Sequence, residues 1–93
     1  MDPKPDPNEK RTVLREPGLE EAFQRLYRDD WDEVERRICD VETVLLRDPE
    51  MGMPVGEGVW ILPLAPAHFL SIYLYYVFYS DVLVLLEVEG FLT

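Results

Sequence analysis

The chain has 93 residues, of which 47% are hydrophobic and 30% charged, and its 19 acidic against 9 basic side chains give a net charge of −10. That length supports one domain burying about 60 to 65% of its unfolded surface, and the composition is that of a globular chain, not a disordered one. A polyanion is repelled by such a charge unless a local basic patch exists, so direct nucleic-acid binding is not expected.

One cysteine, Cys39, excludes an internal disulfide, and with a single histidine, His68, it excludes a structural zinc site of the usual ligand count. No glycine-rich phosphate loop, nucleophile triad or cofactor motif stands out, so no catalytic residue, metal ligand or cofactor is assigned. The first ten residues, MDPKPDPNEK, lack the apolar core of a signal peptide, and a reducing cytoplasm is the default expectation.

Prolines at 3, 5 and 7 make residues 1–10 read as a disordered tail, with one domain over 11–93. Residues 11–15, RTVLR, alternate weakly and suit a short strand with Val13 inward. From Pro17 the period changes. Leu19, Ala22, Phe23, Leu26 and Tyr27 form one helical stripe, with Pro17 in the first turn, Glu20 and Glu21 at the positive end of the dipole, and Glu21 four residues before Arg25. Asp30 to Glu33 reads as a capping box opening a second helix, whose inward positions are Trp31, Val34, Ile38, Val41 and Leu45. Asp48-Pro49 ends it, because the residue before proline is pushed out of the helical region. The pair should form a helical hairpin. Residues 48–58, with two prolines and three glycines, read as a loop.

The remainder differs in kind: residues 59–92 hold eight of the eleven aromatics and no lysine or arginine. Strands are expected over 59–64, 69–79 and 82–89, with Pro63 confining the first to an edge or ending it and Ser80-Asp81 as a tight turn. Residues 58–80 carry no Asp, Glu, Lys or Arg, which raises a membrane-spanning alternative. Pro63, Pro66, His68 and the five tyrosines and phenylalanines within 73–79 argue against a spanning helix.

On the strand over 69–79 one face carries Phe69, Ser71, Tyr73, Tyr75, Val77 and Tyr79, and the other Leu70, Ile72, Leu74, Tyr76 and Phe78. Neither is charged. On the next strand Val82, Val84, Leu86 and Val88 should oppose Leu83, Leu85, Glu87 and Glu89. Two helices cover one face of a small sheet. An uncharged second face either stays wet through its tyrosine hydroxyls or is a protein interface, for a homodimer or a partner, with Tyr73, Tyr75, Val77 and Tyr79 as its binding residues.

The order of these elements resembles the RelE/ParE superfamily of bacterial toxin–antitoxin toxins. The resemblance covers residues 11–91. It rests on the short first strand, the helical hairpin, Leu45-Leu46-Arg47-Asp48-Pro49 followed by Gly52 and Pro54, the Tyr75-Tyr76-Val77 strand, and the closing run Val82-Leu83-Val84-Leu85-Leu86-Glu87-Val88. It implies an α+β fold, a helical hairpin on a three- to four-stranded antiparallel sheet, and neutralisation by an antitoxin. RelE-like members cleave messenger RNA on the ribosome and ParE-like members poison gyrase. This chain departs from the family where cleavage would occur. Leu70, Ser71 and Ile72 stand where the middle strand commonly carries arginine, and Glu89 and Gly90 stand where a His-Arg pair commonly follows the last strand.

No cation follows Arg47, and Arg25, Arg28, Arg36, Arg37 and Arg47 are interleaved with acids on the helices, as a solvated, salt-bridged surface requires. The expected function is therefore toxin-like protein binding without nuclease activity. A ribosome-dependent endoribonuclease and a membrane-associated protein are the alternatives. Among single residues, His68 is expected to be structural although it suits a general base. Cys39, Trp31 and Trp60 are expected to pack in the core. Glu87 and Glu89 form a raised-pKa pair if covered, and otherwise a solvated strand end.

Overall fold

The computed structural model describes residues 11–93, so the expectation of a disordered tail over 1–10 lies outside the described residues. Strand β1 (Thr12–Arg15) leads into helices α1 (Leu19–Tyr27) and α2 (Trp31–Arg47). A 3-10 turn over Pro49–Met51 follows, then strands β2 (Met53–Gly56), β3 (Val59–Ala67), β4 (Leu70–Phe78) and β5 (Val82–Leu92). The strands form one sheet in the order β1-β5-β4-β3-β2, and the fold is α+β.

The sheet has five strands where three or four were expected, and it is mixed, not antiparallel: β1 runs parallel to β5, while the other neighbours are antiparallel. The additional strand, β2, lies inside the segment read as a loop. Its sequence, Met-Pro-Val-Gly, has a composition that disfavours strands, and it is held by pairing with only Val59–Ile61 of β3.

β3 in turn extends through both prolines to Ala67. Beyond Ile61 it has no β2 neighbour, so Pro63 sits on a free edge, where its missing N–H breaks no ladder bond.

Helix α1 begins at Leu19, two residues after Pro17, because Gly18 adopts φ 89° as the N-cap. Leu19, Phe23 and Tyr27 are buried along its stripe. Glu21 and Arg25 make no ion pair. At the start of α2 the Asp30 carboxylate accepts the Glu33 N–H at 2.9 Å, while the Glu33 side chain pairs with Arg36 and so completes only half of a capping box. Val34, Ile38 and Leu45 are buried, whereas Trp31, expected inward, is 56% exposed at the first position of α2, so the buried stripe begins at Val34.

These helical side chains close over Leu62, Ile72, Leu74, Tyr76, Leu83, Leu85 and Val88 of the sheet. Each such fully buried side chain stabilises the fold by about 1.5–3 kcal/mol. Trp60 packs at the margin, tilted against Tyr76 and Phe78.

His68 and Phe69 join β3 to β4 as a two-residue turn, with φ 51° and 64°. Positive φ at both positions is the geometry that follows strand twist in tight hairpins, and it disfavours side chains bearing a Cβ. The His68 ring Nε2 lies 3.1 Å from the Tyr27 carbonyl and, as its donor, satisfies the end of α1. The Tyr27 hydroxyl donates to Ala65 O at 2.7 Å. This tether gives His68 a structural role.

Phe69, 87% exposed, has no comparable packing to offset its backbone. Phe69→Gly is expected to raise stability by about 1 kcal/mol. That corresponds to about 4–8 °C in Tm for a domain of this size, readable by calorimetry. A fall in Tm would show instead that the Phe69 ring is held by contacts that matter.

Candidate open-face interface

The helices cover one side of the sheet and leave the other uncovered. Cross-strand partners share a face, so the register assigns the open side directly. Tyr75 lies between Ile61 and Glu87, Tyr73 between Pro63 and Glu89, Ser71 opposite Phe91, and Val77 opposite Val84. Met53 extends the face onto β2 and Leu14 onto β1. Tyr73, Tyr75 and Val77 are partly buried by one another, and the Tyr73 and Phe91 rings meet at 6.0 Å. Of the four binding residues read from the sequence, these three stand together. Tyr79 lies just past β4, 60% exposed, and Phe69, assigned to the same face, sits in the turn instead.

The phase of β5 differs from simple alternation. The register slips between Tyr75 and Tyr76, so that Leu86 is an extra residue between Leu85 and Glu87. A bulge of this kind shifts the two-residue period by one. Leu83, Leu85 and Val88 are consequently buried together, and Glu87 and Glu89 join Val84 on the open face instead of opposing it. The sequence carries no signal of this slip, because residues 82–86 are five bulky apolar residues in succession.

Glu87 and Glu89 are the charged side chains that the pairings of β2 to β5 place on this face, and neither makes an ion pair. Interaction with the neighbouring Glu89 carboxyl, followed by loss of hydration, pushes the Glu87 carboxyl above its ordinary range. Loss of hydration and the negative charge of Glu89 and Glu87 likewise push the Tyr75 hydroxyl up. The acidic pair is therefore part of the open face, not a frayed strand end.

Arg11 donates from Nε to the Tyr79 carbonyl at 2.9 Å, at the end of β4, and the ion-paired arginines lie elsewhere. Arg15 inserts its guanidinium among Glu20, Glu35 and Glu42 at 2.8–3.0 Å on the helical side. Arg37 pairs with Asp29 at 2.6 Å and stacks 4.0 Å over the Tyr27 ring, and Arg36 pairs with Glu33. None of these ion-paired cations reaches the open face. A small cleft of about 160 Å³ between Tyr27, Arg37, Asp40 and Leu64 borders the same paired arginine.

Cys39, expected to pack as a small hydrophobe, is exposed and lies 3.4 Å from a Glu35 carboxylate oxygen. It stands one position past the buried Ile38, off the apolar stripe of α2 and beside the Arg15 cluster. Loss of hydration and the hydrogen bond to Glu35 push its thiol above the ordinary range, the direction opposite to thiolate activation. Among the described residues no helix is long and apolar enough to cross a membrane, and the uncharged run over 58–80 forms β3 and β4.

In comparisons with known proteins, no family model matches the chain, and no curated protein matches it.

Proposed function

We propose that this chain is a toxin-like protein-binding module that docks an antitoxin-like protein or a second copy of itself through the open sheet face around Tyr73, Tyr75, Val77 and Tyr79. The observation that carries the reading is the uncovered face itself: aromatic and aliphatic side chains contributed by five strands, with two carboxylates and, among the described residues that the strand pairings place there, no cation. Contiguous apolar surface of this kind marks interaction sites, and its tyrosines supply large contact area with few rotors to immobilise. The order of short strand, two helices and closing antiparallel strands supports a RelE/ParE-type origin. Cleavage of RNA requires positive groups aimed at a phosphorane. Arg15, Arg36 and Arg37 are engaged with carboxylates on the helical side, which favours binding over catalysis.

Tyr75→Asp tests this reading, since it puts a third carboxylate beside Glu87 and Glu89 at the centre of the face. Light scattering should show a halved molar mass if copies pair there. If the partner is the product of an adjacent gene, co-expressed with this chain, its affinity should fall by at least tenfold, and growth arrest relieved by that product would establish the toxin assignment. Unchanged mass together with unchanged partner affinity rejects the open face as the interface.

A further inference from the structure

The ladder between β1 and β5 stops early. It runs from Thr12 opposite Val82 to Arg15 opposite Leu85, and the Glu16 N–H makes a last bond to Leu85 O at 3.0 Å. Pro17 has no N–H with which to continue, and Gly18 turns the chain into α1. β5 nevertheless continues to Leu92. Glu87–Leu92 are thus paired to β4 on one side, after the bulged Leu86, and Leu86–Leu92 have no strand on the other among the described residues. Beside the start of this stretch lies a groove of about 380 Å³, walled by Pro17, Gly18, Ala22 and Arg25 on one side and by β5 from Leu86 to Glu89 on the other. Seven residues is an ordinary strand length, and an unpaired strand edge offers a row of backbone donors and acceptors to an incoming strand.

Charge decides which strand fits. Glu87 and Glu89 stand two residues apart on the open-face side of this edge and make no ion pair among the described residues, and directly opposite positions of paired strands favour opposite charges. A second copy of the chain fails this test. Antiparallel pairing of two β5 edges about Glu87, Val88 or Glu89 sets carboxylate against carboxylate, and each copy also carries a net charge of −10. Arg25, the groove's cation, belongs to the helical wall and makes no ion pair with either carboxylate.

We propose that the free edge of β5, from Leu86 to Leu92, receives an extended segment of a different protein as a sixth strand, with lysine or arginine at alternate positions facing Glu87 and Glu89 and apolar residues between them. The acidic pair thereby has two effects, excluding self-pairing and selecting a basic strand. This assignment rests on the reading of the chain as a protein-binding module and adds where a partner's backbone is bound and what side chains it carries.

The experiment uses the full chain and two fluorescein-labelled heptapeptides of alternating sequence, one of lysine and valine and one of glutamate and valine. Anisotropy should show binding of the lysine peptide, weakening with added salt, and at least tenfold weaker binding of the glutamate peptide. Amide hydrogen exchange should slow within Leu86–Leu92 on addition of the lysine peptide. The double variant Glu87→Lys with Glu89→Lys should reverse the preference, and circular dichroism verifies that it folds. Equal affinity for both peptides, no binding of either, or protection confined to other strands would overturn the proposal, and the first two outcomes are read on the unmodified chain alone. Concentration-dependent dimerisation with protection at 86–92 would overturn it in favour of a second copy. None of these results depends on the Tyr75→Asp experiment, so the edge can fail while the open face stands, and the reverse.

Discussion

Gly52→Ala is expected to cost about 3 kcal/mol or more, out of a total stability of about 5–14 kcal/mol for a domain of this length. The reason is steric, not conformational, because Gly52 has an ordinary φ of −78°. A Cβ at this position overlaps the Ile61 carbonyl oxygen and comes within 2.6 Å of the Tyr76 hydroxyl. Neither obstacle is a flexible chain end. The Ile61 carbonyl belongs to the β3 backbone. Tyr76 is fully buried, with its hydroxyl accepting from the Gly52 N–H at 3.1 Å and donating to Pro49 O at 2.6 Å. Displacing that hydroxyl leaves buried polar groups unpaired at about 1–3 kcal/mol.

The change also pushes out β2, and with it Met53 on the open face, so loss of stability and loss of partner binding should occur together. Urea unfolding reads the effect as a midpoint lowered by about 1–3 M. Tyr76→Phe, which removes one of the two obstacles, should make the double variant less destabilised than the sum of the single ones. A Gly52→Ala midpoint within experimental error of the parent would mean that the segment from Pro49 to Gly56 is not seated on Tyr76.

Tyr76 and Gly52 also show where reading the sequence succeeds and where it stops. The alternation that sets Leu70, Ile72, Leu74, Tyr76 and Phe78 against Ser71, Tyr73, Tyr75 and Val77 is a local property of an extended chain, and the sheet keeps it. The same holds for the helical stripes through Leu19, Phe23 and Tyr27 and through Val34, Ile38 and Leu45. What local pattern does not contain is pairing. β2 exists because Gly52 allows its approach to Ile61 and the Tyr76 hydroxyl ties down the turn before it, contacts that span 9 and 24 positions. The parallel placement of β1 beside β5 joins ends of the domain about 70 residues apart. The bulge at Leu86 changes which side of the sheet Glu87 and Glu89 occupy, and a period of two has no means of announcing its own slip. Trp31 was assigned inward on its helical spacing and Cys39 on residue type, and the exposure of both, Cys39 beside a charged cluster, is a tertiary fact.

That charged cluster also determines how the domain responds to acid. Arg15, at the end of β1, donates from Nε to Glu42 at 2.9 Å, from both terminal nitrogens to Glu35, and from one of them to Glu20 at 3.0 Å. One cation thus ties β1 to both helices at the point where β1 leaves β5. Removing it leaves three carboxylates facing one another. Arg15→Met, which keeps the apolar stem, is expected to destabilise by about 2–3 kcal/mol, below the range for fully buried pairs because Glu20 and Glu35 are about half exposed.

The pH profile distinguishes this from a packing defect. Hydrogen bonds from Arg15 hold the Glu35 carboxyl below its ordinary range. A carboxyl lowered in the fold stabilises above its unfolded value of about 4.3, and that contribution is lost as pH falls through the lowered folded value. In Arg15→Met the three carboxylates repel one another without a cation, which raises their folded values, and protonation then relieves the fold. From pH 6 to about pH 4 thermal unfolding should therefore show the variant gaining stability relative to the parent, the raised Glu87 carboxyl acting equally in both. Parallel profiles would mean that Arg15 contributes by packing alone, and the anchor that turns β1 away from the β5 edge would have to lie in Pro17 and Gly18.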